Sequence, residues 1–288
     1  MMNKWTRVQN LLAATWLFLG TPAFALTNSS PHIYPGSVRA ALQLENDLYD
    51  SLDARYRDKL QTRPEGMAAP DASVAPKSEE YKTFCEACVS ADFVNLINHI
   101  AHAKAIDKTE PGYFNQYMGA LAHETENGKL PVPPDITQDR YWTDDIMNDQ
   151  AGCFNQMIGM CMAINLSHHY LGHVNKYAAG TPPGKSILVN NLLTRAEWEK
   201  GVKAATLNSL TCALGIEGST ALFGAIGRMP LRPAWTACIV PQSINIKGLN
   251  KQLAKYEVAF FRGGLNPGPE RESSIGVALK APPMRVHH

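Results

Sequence analysis

Two stretches of this chain lack charge almost completely. Between Gln150 and Asn175 there is no Asp, Glu, Lys or Arg, and between Ala204 and Gly227 the sole charged side chain is Glu217. Segments of this kind offer water no preferred face, which excludes surface helices there and predicts buried ones. Long alternating runs are lacking too, which excludes a substantial sheet and leaves room only for short strands near 236–246 and 256–262. Charge of one sign is not in excess, since 27 Lys and Arg stand against 26 Asp and Glu, and that excludes a broad basic face for nucleic acid. No repeat recurs at solenoid spacing. The stretch "GIEGSTALFG" is not a Gly-x-Ser-x-Gly elbow, and "TPPGKS" lacks the glycine frame of a phosphate loop. What remains is a mainly α chain, read as one helical domain with buried helices.

The first 25 residues carry Lys4 and Arg7, an apolar run "LLAATWLFLG", and an Ala-x-Ala ending at Ala23 and Ala25. This pattern is that of a signal peptide and places the mature protein in the periplasm or outside the cell. Removing it takes the formal charge from +1 to about −1 and leaves residues 26–288 as one domain. Membrane association is not indicated after that removal. The second charge-free stretch reads as a core helix and not a span, because Thr, Asn, Ser and Glu217 interrupt it.

An oxidising compartment makes the six cysteines candidates for disulfides. Cys85 and Cys88 in "FCEACVS" are spaced for a local bond or a redox pair, with the structural bond favoured because no βαβ pattern accompanies them, and Val89 stands where haem attachment requires His. Cys153 and Cys161 are disfavoured as a pair. Eight positions apart in one helix puts them roughly 12 Å from each other along the axis, beyond the ~7 Å reach of a disulfide.

Helical periods mark residues 36–60 and 90–107, with Phe93, Leu96, Ile97 and Ile100 on one stripe of the latter. Thr194 and Glu197 have capping-box spacing at the head of a third segment that runs to residue 227. Residues 63–80 are rich in Pro and Ala and read as a flexible loop, and residues 264–288 as an irregular tail.

Chemistry concentrates in "AINLSHHYLGHVNKY", residues 163–177. On a continuous helix His169 and His173 fall one turn apart and can point at one metal ion, while His168 lies about 100° around the axis. Glu217, isolated in the other charge-free segment, needs a partner, a proton or a cation. Together these residues would give three protein ligands and leave a fourth position open, the arrangement of a catalytic zinc site. Gly172 reads as a place where a neighbouring backbone can approach.

The stretch "HYLGH", residues 169–173, resembles the His-Glu-x-x-His motif of gluzincin zinc metallopeptidases, in particular the group that includes periplasmic chaperone-proteases. The resemblance implies that His169, His173 and Glu217 bind zinc and that peptides or proteins are the substrates or partners. Tyr170 stands where that group has its catalytic Glu, so the base role passes to Tyr170 or His168 or is lost. The function expected is an exported metal-binding protein, a zinc-dependent hydrolase of degenerate metallopeptidase type, with another transition metal as an alternative to zinc. Two other readings stand beside it. One is a non-catalytic exported binding protein with a zincin-like core. The other is a helical metallo-oxidoreductase in which His99 and His102 add ligands.

Overall fold

A computed structural model describes residues 34, 36–60, 91–124, 131–178, 192–230 and 232–263. The signal segment 1–25, the loop 63–80, Cys85 and Cys88, and the tail 264–288 all lie outside them. The described residues form helices α1 (Ser37–Asp50), α2 (Ala54–Arg57), α3 (Ala91–Ile106), α4 (Tyr113–Glu124) and α5 (Asp144–Tyr170), followed by α6 (His173–Ala178), α7 (Arg195–Thr211), α8 (Glu217–Ile226) and α9 (Leu249–Phe261). Short 3-10 turns lie at Asp139–Tyr141 and Ala234–Cys238. Among the described residues there is no strand, and the mainly α expectation holds.

The axis of the fold is α5, roughly 40 Å long at ~1.5 Å per residue. Thr143 caps its first turn through a side-chain oxygen that accepts from the Ile146 N–H, and Asp144 and Asp145 meet the positive end of the helix dipole. From Met157 to Tyr170 every residue except Asn165 is buried. Neighbours α1, α3, α7 and α8 all pack on this one helix, so no side is left for water and no charge is tolerated. The charge-free stretch was the sequence's signal for this position.

Against α5 lies α3, with Ile97, Ile100 and Ile106 fully buried and Ala101, Ala103 and Ala105 keeping the two backbones close. Each large aliphatic side chain removed from water contributes about 1.5–3 kcal/mol. The register is fixed by a buried polar contact, in which Gln150 Nε2 donates to Asn98 Oδ1 at 2.7 Å. The remaining helices extend the same contiguous core: α4 packs on α3, and α9 packs on α7 and α8.

Two expectations about local structure are corrected. The stretch 204–227 is not one helix. It breaks after Thr211 in a Schellman motif, with Ala213 N–H bonded to Leu210 O and Leu214 N–H to Ser209 O, each at 3.0 Å. Ala213 takes φ 59° there, a conformation usually left to glycine. The short strands near 236–246 and 256–262 are also absent. Pro233 and Pro241 hold the first region in a 3-10 turn and loop, while Leu249, Leu253, Tyr256 and Phe260 recur at helical spacing in α9.

No disulfide joins two described cysteines. Cys153 and Cys161 both lie on α5, as their spacing requires, and Cys212 donates to Ser51 Oγ at 3.0 Å. No helix among the described residues is long and apolar enough to cross a membrane.

Candidate histidine site

The helix carrying His168 and His169 does not reach His173. Leu171 ends α5, Gly172 follows at φ +79° with its N–H bonded to His169 O, and His173 opens α6. Among the described residues a Cβ at Gly172 would meet nothing within 4 Å, so this glycine serves the left-handed turn and not the approach of a neighbouring described backbone. The expectation that His169 and His173 share one column of a helix is therefore corrected.

The turn brings a different pair together. His168 Nδ1 and His173 Nδ1 are 2.8 Å apart, so one ring donates and the other accepts, and the ring centroids stand 5.1 Å from each other. Both residues are buried. Among the described residues His168 Nε2 has no hydrogen-bond partner, a buried polar atom of the kind whose desolvation costs about 1–3 kcal/mol. The ring lies against α7 at Gly201, where a Cβ would stand 2.2 Å from His168 Cε1. Only glycine leaves room for this imidazole between the two helices.

Electrostatics keep both rings neutral. Burial first, and then the neighbouring His173 and His169, push His168 down to about 3. Burial also lowers His173, and Lys200 and Lys176 add to the effect while Glu197 opposes it. A carboxylate is therefore near, but its oxygens are engaged. Glu197 Oε2 accepts from the Thr194 N–H at 2.9 Å, from Thr194 Oγ1 at 2.8 Å and from Tyr177 OH at 2.7 Å, while Oε1 meets Lys176 Nζ at 2.6 Å. This is the capping box read in the sequence, extended to tie α6 to the head of α7. Burial alone would raise the Glu197 carboxyl, but the bonds from Lys176, Thr194 and Tyr177 together hold it well below the usual range.

The other candidate residues are placed elsewhere. Tyr170 is buried with its ring 4.7 Å from that of Tyr56, and burial raises its phenol, which removes it further from the role of a base. His169 is also buried. Glu217 is exposed at the head of α8, where the adjacent Gly218 N–H donates to Gln156 Oε1 at 2.6 Å. Gln156 precedes His169 by about 20 Å of helix at ~1.5 Å per residue. The structure thus sets Glu217 near Lys108 and Cys153 and does not join it to the histidines. Being in a charge-free stretch did not make it buried, because the stretch turns at the surface just before it.

His99 and His102 are separate again. Their helix meets the opening turns of α5 through Asn98 and Gln150, roughly 27 Å of helix before His168. His102 Nε2 faces Tyr141 O at 2.7 Å and must donate to it, so Nδ1 is the acceptor for Tyr34 OH at 2.8 Å. Both ring nitrogens are thereby taken. Burial, and then His102, lower His99 to about 4.

Among the described residues no group of three or more His, Cys, Asp and Glu side chains is arranged to hold a metal ion. The chain matches no known protein family, no curated protein and no solved structure.

Proposed function

We propose that this chain is an exported, non-catalytic binding protein that takes up a transition-metal ion, zinc first, between His168 and His173. The observation that carries the reading is the 2.8 Å separation of two buried, neutral Nδ1 atoms. Nitrogens that each lie ~2.0–2.1 Å from a tetrahedral zinc are about 3.3 Å apart, so the pair needs to open by only half an ångström. Both rings already have the uncharged form that ligation requires. Water or a partner's side chain completes the coordination. Export rests on the N-terminal sequence pattern.

The placement of the other residues favours binding over hydrolysis. A metallopeptidase needs a carboxylate or comparable base at the metal-bound water. Here Glu197 is committed to four donors, Glu217 is on another part of the surface, and Tyr170 is inside the core. Elemental analysis of the mature protein after equilibration with zinc tests the proposal. About one zinc per chain is expected in the wild type and in Glu217→Ala, and none in a folded His173→Asn variant. A wild type without bound metal, or full retention in His173→Asn, overturns it.

A further inference from the structure

Away from His168 and His173, α4 and the end of α8 border a cleft of about 400 Å³. This volume is within the range of small-molecule sites. Met118, Ala225 and Met229 supply apolar wall, and among the described residues the ionisable side chains that line it are His123 and Arg228, with no carboxylate. Gly119 faces the same space from the interior of α4. Its backbone is not in the left-handed region, and a Cβ there would meet nothing within 4 Å among the described residues. Neither conformation nor packing by the described residues requires glycine, a poorer helix former than alanine. Its effect is to leave the cleft open.

Arg228, two residues past the end of α8, is oriented at the rim by that helix, since Nε donates to Gly224 O at 3.1 Å. The Nη groups are the donors that remain, and a guanidinium presents them as a fork suited to a carboxylate. Methionine walls adapt to apolar groups of varied shape. We infer that this cleft binds a small amphiphilic carboxylate, with its anionic head on Arg228 and its alkyl or aryl body against Met118 and Met229. The site is independent of the histidine pair.

Titration calorimetry of the mature chain with decanoate, and with decanol as the uncharged comparator, tests this. Decanoate is expected to bind saturably, with decanol at least ten-fold weaker. Arg228→Gln should weaken decanoate by roughly ten-fold or more, the loss of one charge-assisted contact. Gly119→Phe should abolish binding of both without lowering the melting temperature, because its side chain enters open space. Decanol binding as tight as decanoate, unchanged affinity in Arg228→Gln or Gly119→Phe, or no saturable binding up to about 1 mM each overturns the inference.

Discussion

Replacing Gly201 by alanine puts one methyl group where the imidazole of His168 already lies. The new Cβ would stand 2.2 Å from Cε1 and 2.8 Å from Nδ1, against 3.4–4 Å for ordinary contact. His168 is almost wholly buried and held by His173, so the ring has no easy way aside. Overpacking of a core costs about 1–3 kcal/mol, and a shortfall of more than an ångström belongs at the upper end. Alanine's better helix propensity returns about 1 kcal/mol. The net loss is then about 2 kcal/mol, a fall of roughly 4–8 °C in melting temperature for a domain of this size. Gly152→Ala is the matched control, since it lies on α5 with open space at its Cβ, and it should gain up to about 1 kcal/mol. Thermal and urea unfolding of both variants beside the wild type provides the measurement. A Gly201→Ala protein as stable as the wild type would refute the packing of His168 against α7, and the pairing with His173 would fall with it.

Three further outcomes follow from the same geometry. Ala213→Gly relieves a positive φ at the end of α7 and should stabilise by up to about 1 kcal/mol; a loss of stability in urea would contradict the Schellman turn. His99, lowered to about 4 in the fold against 6.5 in the unfolded chain, binds its proton only in the unfolded state between those values. Its contribution is therefore intact above pH 6.5 and is lost as the pH falls towards 4, about 2 kcal/mol of it between pH 7 and pH 5. His99→Gln should flatten the dependence of urea midpoints on pH by that amount, and an unchanged slope would count against it. Tyr34→Phe leaves His102 Nδ1 without its donor and should cost about 1–3 kcal/mol in unfolding free energy; a loss below about 0.5 kcal/mol would show that the bond is not made.

Much of the architecture was legible before any coordinates. The absence of charge marked the buried run of α5, because a helix packed on every side cannot hold a charge without a partner. The Thr194 and Glu197 spacing located the head of α7, and the step from Phe93 to Ile100 gave the buried stripe of α3. These are local properties, in which the energy of a cap or an apolar stripe depends on residues within a few positions.

The histidine site was not legible in the same way. Gly172 just ahead of His173 was the available signal for a helix end, and reading it as a bare surface kept two histidines in one column that the turn separates. Whether Glu217 joined them depended on the turn at Ala213, which returns the chain to the surface. The sequence by itself determined that the protein is helical, which segment runs through its centre, and that Thr194 caps α7, since propensity and burial act residue by residue. Only the tertiary structure decided that His168 pairs with His173, that Gly201 makes room for the ring, and that Glu217 stands apart, because those contacts depend on how separate helices are turned against each other.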